Sequence, residues 1–500
     1  MQYLLGLDNG GTSSKAVLFD QTGREIASAK RNTPMETPKV GFTERDMELL
    51  WRVNCEVIRE TIEKSGASAH DIAGVSFSGH GKGLYLWGKD EKPAYRGIVS
   101  TDSRAWQIVE DWQKDGTAEK AFAMTCQSVL ACQPVALLKW FLENQPEVLE
   151  NTKWIFGVKD YVRYRMTGEA YAEITDISGS SLVNLTTASF DDEILKLFGL
   201  TSIKDKLPPL TYSSQFCGKV TKECAELSGL MEGTPVAAGL FDIDACAIGM
   251  NVVSDDYLAA IAGTWSINEY ASTRPIMDRS VKMNSLYCLK DMYLVEECSP
   301  TSASNQEWFV NSFLKEAAGD RPLYKVGDDM VEKVAPDEAN IVFLPYLFGG
   351  SDDARAGAAF VNVNASHTRA HMLRAVYEGI VFGHKLHIDR LLNSRVNPPK
   401  GVRLAGGVTN APMWVQMFAD ILEMDVETIE VKELGALGAA MTAGVAAGLY
   451  SDLAAAAAQM VKVSRVYHPN PALSGIYRRK YQDFRTVVDA MAPVWGKLER

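Results

Sequence analysis

Apolar and polar residues alternate along the chain in runs that predict strands and helices in turn. The start predicts a strand over residues 3–7, a polar glycine-rich turn over 8–15 and a second strand over 16–19. A helical spacing of apolar residues follows over 47–64. Strands and helices then alternate to about Leu240, which is typical of an α/β protein.

Near residue 240 this pattern begins again. A strand is predicted at 235–240, a helix at 245–250 and a strand at 257–262, which ends in Gly263-Thr264-Trp265-Ser266. The repetition indicates a weak internal duplication and two related α/β lobes with a cleft between them. We place one lobe at residues 1–245 and the other at 246–500, and ligands are expected in the cleft.

The last third of the chain predicts long helices at 368–392, 412–422 and 434–447. The segment 434–447 belongs to the longest apolar stretch of the chain, but it is rich in glycine and alanine. It also follows Lys432 and Glu433 directly. A closely packed core helix is therefore predicted there, not a membrane span.

Composition narrows the possible locations and partners. The 500 residues are 46% hydrophobic and 23% charged, as in an ordinary globular protein, and the net charge of −12 comes with no basic run or tail. Nucleic acid is therefore not an expected partner. The 8 cysteines form no CxxC pair and no export signal is visible, so we expect a cytoplasmic protein with reduced thiols and no membrane association.

The first polar turn has the residue types of a phosphate-binding loop. Its glycines permit a tight turn, while backbone N–H groups, hydroxyls and an ammonium can converge on phosphate oxygens, and Asp8 at the strand end can hold Mg²⁺. An ordinary hairpin turn is the alternative, and the segment lacks the spacing of a Walker A loop. The candidate phosphate ligands are Gly10, Gly11, Thr12, Ser13 and Lys15.

Asp242 and Asp244 stand between an apolar strand and a small apolar segment. A carboxylate that enters a buried stretch has to be paired, to cap a helix or to take part in chemistry. By local sequence alone, a helix cap and a catalytic base are equally good interpretations of Asp242. The segment 404–412 also follows a strand and opens a helix, so its glycines predict either a nucleotide contact or a close helix crossing.

With these segments in this order, the chain resembles the FGGY carbohydrate kinases of the actin, Hsp70 and hexokinase superfamily over nearly its whole length. The resemblance is carried by DNGGTSSKAVLFD at 8–20, KDYVRYRMTGEAYAEITDISG at 159–179, GTPVAAGLFD at 233–242, FLPYLFGG at 343–350, SHTRAHMLRAVYEGIVF at 366–382 and LAGGVTNAPMWVQMFADIL at 404–422. It implies a fold of two actin-like ATPase (ribonuclease H-like) lobes.

The same resemblance assigns roles to individual positions. The turn at Gly10 to Lys15 looks like the first phosphate motif and Gly263-Thr264 like the second, while Gly406, Gly407 and Asn410 resemble the adenosine site. Asp242 matches the family's general base and Asp8 its Mg²⁺-linked carboxylate, so both are implied metal residues. Members usually carry two hydroxyl residues after the first glycine, and here Gly11 replaces one of them.

For the acceptor, the resemblance points to the turn around His80 and Lys82 and to the segment of Asp102 and Arg104. Glycerol kinases carry an Arg-Glu pair where this chain has Gly81-Lys82. That turn, together with Trp265, looks most like the branch of the family that phosphorylates L-xylulose. The implied substrates are ATP, with Mg²⁺ as cofactor, and a small sugar or polyol; homodimers are common among such kinases.

The resemblance implies a reaction in which Asp242 accepts the proton of a terminal acceptor hydroxyl while the Thr12 and Thr264 loops hold the phosphates. Two alternatives stay open at this point. One is a kinase for another acceptor, such as D-xylulose, ribulose, gluconate, a tetrulose or glycerol. The other is an actin- or Hsp70-type ATPase module with no small-molecule acceptor.

Overall fold

The computed structural model describes residues 2–498, which divide into two compact units. The first unit runs to Val253 and also contains Ala271–Val295 and Glu433–Val461. The second contains Ser254–Tyr270, Glu296–Lys432 and the chain from Lys462 onward. The predicted boundary between residues 245 and 246 stays a prediction.

Strands and helices alternate through both units. The strands are β1 (Tyr3–Asn9), β2 (Ser13–Asp20), β3 (Glu25–Asn32), β4 (Glu44–Arg45), β5 (Ile72–Gly79), β6 (Tyr85–Gly88), β7 (Gly97–Ile98), β8 (Thr152–Phe156), β9 (Ala172–Glu173), β10 (Val183–Asn184), β11 (Ser189–Phe190), β12 (Leu210–Thr211), β13 (Phe216–Lys219), β14 (Pro235–Ala237), β15 (Leu240–Phe241), β16 (Tyr257–Ala262), β17 (Ser266–Ser272), β18 (Met283–Leu286), β19 (Tyr293–Ser299), β20 (Val342–Leu344), β21 (Ala359–Val361), β22 (Gly401–Ala405), β23 (Val426–Ile429) and β24 (Val463–Tyr467).

The α-helices are α1 (Met47–Ser65), α2 (Trp106–Lys114), α3 (Thr117–Thr125), α4 (Pro134–Asn144), α5 (Pro146–Asn151), α6 (Val158–Thr167), α7 (Ile174–Ser178), α8 (Asp192–Leu197), α9 (Lys222–Ser228), α10 (Asp242–Gly249), α11 (Ser304–Phe313), α12 (Lys315–Ala318), α13 (Leu323–Glu332), α14 (Arg369–Ser394), α15 (Pro412–Leu422), α16 (Leu434–Ala446), α17 (Leu453–Met460) and α18 (Ser474–Trp495). Short 3₁₀ helices lie at Ala69–Asp71, Thr201–Lys206, Gly407–Asn410 and Pro471–Leu473.

The main sheet of the first unit has the strand order β13, β14, β5, β1, β2 and β3, and β15 also pairs with β5. Strand β1 runs parallel to β5, with Asp8 opposite Ser78, and β15 runs parallel to β5, with Phe241 opposite Gly79. Parallel strands end at the same edge of a sheet. The end of β1 and the start of α10 therefore lie at one edge of this sheet.

The predicted strand at 235–240 is interrupted in the structure. It divides into β14 and β15 around Ala238 and Gly239, and Gly239 has φ 96°, in the left-handed region. A Cβ at Gly239 would stand 2.6 Å from the Phe77 carbonyl oxygen, so only glycine fits there. The break redirects the chain into α10, which begins three residues earlier than the sequence predicted.

Helix α16 packs directly on the main sheet of the first unit, against β1, β5 and α10. A Cβ at Gly6 of β1 would overlap the Ala436 carbonyl group, and one at Gly438 would overlap the Ala245 carbonyl group. The glycine belongs to β1 in the first contact and to α16 in the second, and in each case the missing side chain lets the two backbones approach closely. The prediction of a core helix over 434–447 is confirmed. No helix among residues 2–498 is long and apolar enough to cross a membrane.

In the second unit the strand order is β19, β17, β16, β22, β23 and β24. Strands β16 and β22 are parallel, with Ile261 opposite Ala405, so Gly263 and Gly406 follow neighbouring strand ends. Gly406 has φ 98°, and a Cβ there would overlap the Ala262 carbonyl group. The strand prediction at 257–262 and the helix prediction at 412–422 match the observed bounds.

The close packing of α16 can be tested by stability measurements. Replacing Gly438 with alanine is expected to lower the free energy of unfolding by about 2 kcal/mol or more, because the added carbon overlaps backbone atoms. Thermal and chemical unfolding measure the change. In the control Gly475→Ala in α18, the added carbon meets nothing within 4 Å, so stability should stay within about 1 kcal/mol. Equal losses in both variants would contradict this account.

Candidate active site

The first phosphate-type turn is short, because β1 and β2 extend further than predicted and leave only residues 10–12 between them. The Gly10 N–H donates to the Ser13 carbonyl at 3.0 Å. The guanidinium of Arg45, a buried residue that the sequence analysis missed, donates to the carbonyl groups of Gly10 and Gly11. The loop is thus anchored through its carbonyl oxygens while Thr12 stays exposed.

Lys15 and Asp8 meet residues at the start of α16. The Lys15 ammonium forms an ion pair with Glu433, the residue that precedes α16. A Cβ at Gly435 would stand 3.3 Å from the Asp8 carboxyl group, so the glycine leaves the Asp8 carboxylate room at the helix end. The predicted phosphate ligand Lys15 therefore has a carboxylate partner in this structure.

Asp8 is a partly buried carboxyl group at the end of β1. The Ser78 hydroxyl donates to its Oδ1 at 3.0 Å. Burial raises the pKa of Asp8 above its usual value, and the hydrogen bond from Ser78 and the charge of Lys15 offset only part of this rise. The positive charge near Asp8 therefore does not fully offset the burial of its carboxylate.

Asp242 is the first residue of α10, and the N-cap position belongs to Phe241, which makes no side-chain cap hydrogen bond. Asp242 is therefore not the cap of this helix. Burial raises the pKa of Asp242 to about 8, and the charge of Asp8 contributes to the rise. Lys82 lowers this pKa and Asp176 raises it.

The two carboxyl groups are suited to a divalent cation. Each is desolvated, and the charge of Asp8 raises the pKa of Asp242. Among the described residues, no cluster of three or more His, Cys, Asp or Glu side chains could hold a metal ion. Mg²⁺ commonly takes one or two protein carboxylates together with substrate phosphates and water, which fits Asp8 and Asp242.

His80 belongs to the first segment predicted to bind the acceptor, and its side chain is buried. Its Nδ1 lies 3.2 Å from the Gly81 carbonyl oxygen and its Nε2 lies 3.1 Å from the Tyr85 hydroxyl. Burial lowers the pKa of His80 to about 3, so the ring is neutral. The neutral ring donates from Nδ1 to Gly81 and accepts from Tyr85, which fixes the turn that follows.

The turn after His80 packs against the residue that precedes Asp242. Lys82 has φ 62° and Gly83 has φ 70°, so two successive residues adopt the left-handed conformation. A Cβ at Gly81 would overlap the Phe241 ring, and the Lys82 Nζ lies 5.6 Å from the centroid of the same ring. The strained turn holds the Lys82 ammonium near Asp242.

Asp102 and Arg104 form one buried unit in the second acceptor segment. Arg104 Nη2 donates to Asp102 Oδ2 at 2.9 Å and to Glu44 Oε1 at 2.7 Å, and the Thr43 N–H donates to Asp102 Oδ2 at 2.7 Å. The guanidinium carbon lies 4.1 Å from the centroid of the Phe42 ring. Tyr95, whose hydroxyl donates to Glu44, also favours the charged form of the Arg104 guanidinium, so this unit is held by neighbours on several sides.

A buried charged cluster behind Asp242 was not identified from the sequence. The Lys159 ammonium lies 3.2 Å from Asp160, 3.2 Å from Glu173 and 3.4 Å from Asp176. Burial raises the pKa of Asp176 to about 7. The segment 159–179 is rich in charged residues, and this was the signal in the sequence that could have revealed the cluster. Because α6 is mostly buried, its charged residues have to pair with one another.

Four of the five residues predicted to hold nucleotide in the second unit line one cavity, while Gly406 is not among its lining residues. Gly263, Thr264, Gly407 and Asn410 line a cavity of about 370 Å³, and a Cβ at Gly263 or Gly407 would meet nothing within 4 Å. The turn is held by Ala303, whose N–H donates to the Gly263 carbonyl at 2.8 Å. These glycines leave room for a ligand to approach the backbone.

Further residues on the wall of this cavity had not been singled out. Asp328 accepts a hydrogen bond from the Tyr377 hydroxyl at 2.7 Å, and Gln306 donates to the same hydroxyl at 2.5 Å. Lys432 donates to Asn410 Oδ1 at 2.7 Å. Gln306 lies on α11 and Asp328 on α13, and both line the cavity, whereas Tyr377 on α14 and Lys432 contact residues of its wall. No local pattern in the sequence marks these positions. Gln306, Glu307, Tyr324, Asp328 and Trp414 also line the cavity.

Comparison with sequence families shows two matches. The profile described as the FGGY family of carbohydrate kinases, N-terminal domain, matches residues 3–249, and the C-terminal domain profile matches residues 258–447. A probable L-xylulose kinase of Haemophilus influenzae is 36% identical over 98% of this chain and 99% of its own length. The L-xylulose/3-keto-L-gulonate kinase of Escherichia coli is 34% identical over 100% of this chain and 99% of its own length.

Solved structures show the same fold. A xylulose kinase from Lactobacillus acidophilus superimposes with a TM-score of 0.92 at 26% identity, covering 100% of both chains. A gluconate kinase from the same organism gives a TM-score of 0.91 at 26% identity, again covering 100% of both chains. The predicted α/β fold with two actin-like ATPase lobes is confirmed by these matches.

The raised pKa of Asp242 predicts a pH dependence of stability. Between pH 3.8 and about pH 8, the Asp242 carboxyl group is protonated in the folded chain but ionised in the unfolded chain. The folded state therefore loses stability relative to the unfolded state as the pH rises through this range. The stability of Asp242→Asn relative to the unmodified protein should therefore increase by on the order of 4 kcal/mol from about pH 5 to about pH 8.

Chemical denaturation of the ligand-free proteins at several pH values measures this difference. In an Asp8→Asn background the increase should be smaller, because the charge of Asp8 contributes to the raised pKa. A stability difference that stays constant with pH would contradict the environment described for Asp242.

Proposed function

Because the chain belongs to the FGGY family of carbohydrate kinases, we propose that it transfers the γ-phosphate of ATP to a terminal hydroxyl of L-xylulose, giving L-xylulose 5-phosphate. The observation that supports the chemistry is the pair Asp8 and Asp242, two desolvated carboxyl groups at one sheet edge. The relatives named for L-xylulose support the acceptor. A cytoplasmic location and a homodimer stay predictions.

Asp242 is the proposed general base. In the ligand-free protein a pKa of about 8 leaves Asp242 largely protonated near pH 7, and a cation near Asp8 would lower this pKa and ionise the carboxyl group, which can then accept the hydroxyl proton. In phosphoryl transfer the hydroxyl proton leaves as the oxygen attacks, so the base must lie within hydrogen-bond reach of that oxygen. Asp242 therefore orients the acceptor hydroxyl and accepts its proton.

Each unit contains its own candidate nucleotide-binding residues. In the first unit, Asp8 and Asp242 would hold Mg²⁺, whose positive charge offsets the charge that develops on the phosphates. Backbone and side-chain donors at Gly10, Gly11, Thr12, Ser13 and Lys15 would bind phosphate oxygens. In the second unit, Gly263 and Thr264 would do the same, and Gly407 and Asn410 on the same cavity would contact the adenosine. The contact proposed for Gly406 rests on the family resemblance.

The acceptor would be bound by the turn that carries Lys82, whose charge acts on Asp242, and by the segment of Asp102 and Arg104. Asp102 and Glu44 fix the Arg104 guanidinium, and the segment that carries this ion pair would form part of the acceptor site. His80 supports the turn that presents Lys82, whose ammonium can donate to a hydroxyl or carbonyl of a ketose. This arrangement suits a small acceptor with several oxygens.

A second candidate acceptor is a keto sugar acid. One relative is named for both L-xylulose and 3-keto-L-gulonate. Lys82 lies close enough to Asp242 to lower its pKa, so the acceptor region contains a cation that can pair with a substrate carboxylate. This candidate uses the same base and the same phosphate loops.

Substitution of the base tests the mechanism. Asp242→Asn is expected to lower kcat at least about 100-fold, since the amide cannot accept the proton, while the Kd for ATP measured without Mg²⁺ should change less than about threefold. Coupled ADP release measures turnover, and calorimetry measures nucleotide binding. If kcat of Asp242→Asn stays within tenfold of the value for the unmodified enzyme, Asp242 is not the general base.

A panel of acceptors tests the reaction itself. ADP release should rise at least about 100-fold when L-xylulose is added, and kcat/KM should be higher for it than for D-xylulose, D-ribulose, gluconate and glycerol. A slow rate of ADP release that no acceptor raises would identify an ATPase module instead. A higher kcat/KM for another acceptor would support the kinase assignment and identify that acceptor as the substrate in place of L-xylulose.

The role of Lys82 separates the two acceptor candidates. Lys82→Met should lower kcat/KM for 3-keto-L-gulonate at least about tenfold more than for L-xylulose if its ammonium pairs with the carboxylate. Loss of Lys82 also changes the pKa of Asp242, but this change affects both acceptors equally because both use the same base. The ratio of the two losses in kcat/KM therefore reports the carboxylate contact alone. Equal losses for both acceptors would reject the carboxylate contact.

A further inference from the structure

The peptide group that leads into Asp242 is bound by a side chain from another element. The backbone N–H of Phe241 donates to the Thr175 hydroxyl at 2.9 Å. Phe241 is the residue before the first residue of α10, and Thr175 lies on the short helix α7. The hydroxyl of Thr175 thus contacts the backbone one residue before the proposed base.

Thr175 is itself held in one orientation. Its hydroxyl donates to Glu173 Oε2 at 2.8 Å, which directs an oxygen lone pair toward the Phe241 N–H, and its backbone N–H donates to Glu173 Oε1 at 3.1 Å. Thr175 and Glu173 are both fully buried. A hydroxyl that donates to one group and accepts from another cannot rotate without losing both bonds.

Glu173 is fixed in turn by groups from other elements. The Ser213 hydroxyl donates to Glu173 Oε1 at 2.7 Å, and the Lys159 ammonium lies 3.2 Å from Oε2. Burial favours such charge-assisted bonds, because no water competes for the donors. The chain of contacts from Lys159 through Glu173 to Thr175 is therefore rigid up to the Phe241 peptide.

The residues just before Phe241 are held by different partners. Arg163 Nη1 donates to the Ala238 carbonyl at 2.6 Å, and the Gly239 N–H donates to the Ser213 carbonyl at 3.1 Å. These bonds fix the break between β14 and β15. The Thr175 hydroxyl adds a bond at the turn from β15 into α10, where the direction of the Asp242 side chain is set.

We propose that Thr175 is a positioning residue for the phosphoryl-transfer reaction: its hydroxyl links the buried Glu173–Lys159 pair to the Phe241 peptide and so fixes where the Asp242 carboxylate points. This inference rests on the proposed function, in which Asp242 is the base. A base displaced by about 1 Å can lose about 100-fold in rate, since proton transfer depends steeply on geometry.

Matched substitutions at Thr175 test the proposal. Thr175→Val keeps the shape of the side chain and removes both hydroxyl bonds, so kcat should fall about 10- to 100-fold while the KM for ATP changes less than about twofold. Thr175→Ser keeps the hydroxyl and should retain kcat within about threefold of the unmodified enzyme. If Thr175 only stabilised the fold, serine would not restore kcat, and kcat would not fall while the KM for ATP stays constant.

Thr61→Val serves as the control for loss of a buried hydroxyl. The Thr61 hydroxyl is buried in the first unit and donates to the carbonyl groups of Ala16 and Val57. This variant should lose stability with kcat unchanged. If Thr175→Val does not fold, Thr175→Cys compared with Thr175→Ser replaces the test, because the two side chains have similar size and the thiol bonds weakly.

The outcomes separate this inference from the proposed function. If Asp242→Asn is inactive and Thr175→Val, or Thr175→Cys, keeps kcat within threefold of the unmodified enzyme, Thr175 is not a positioning residue and the base assignment stands. If Asp242→Asn keeps its turnover, the base assignment fails first. A loss at Thr175 that serine does not restore, or that Thr61→Val reproduces, also overturns the proposal.

Discussion

Two carboxyl groups, Asp8 and Asp242, lie in the first unit of this protein without enough positive charge to balance them. Burial raises the pKa of both, and the negative charge of Asp8 adds to the rise at Asp242. Such an arrangement costs stability in the ligand-free protein. A divalent cation would relieve it, so the local electrostatics that destabilise the ligand-free chain favour nucleotide binding with Mg²⁺.

The glycine-mediated packing of α16 supports this arrangement. Gly438 lets α16 approach the Ala245 carbonyl of α10, and Gly435 leaves space for the Asp8 carboxyl group. Behind Asp242, the Lys159 ammonium compensates the buried carboxylates of α6 and α7. The first unit therefore combines the Asp8 and Asp242 pair with a second cluster in which Lys159 offsets part of the buried negative charge.

The sequence predicted the fold and the main elements well, because the apolar spacing of α1, β16, α15 and α16 is regular. It also placed Asp8 and Asp242 through the family resemblance, while their local surroundings left Asp242 ambiguous. The contacts of Arg45, Glu173 and Thr175 could not be predicted, since they join residues distant in sequence. The two-residue break at Gly239 was missed because an apolar run does not reveal a left-handed residue inside it.

Proton release on nucleotide binding tests the electrostatic account most directly. Titration calorimetry of the protein with Mg²⁺ and a non-hydrolysable ATP analogue, near pH 7 and in two buffers of different ionisation enthalpy, counts the protons exchanged. Because the pKa of Asp242 is about 8 without ligand, we predict release of most of one proton by the unmodified protein and much less by Asp242→Asn. Equal proton release by both proteins would contradict the account.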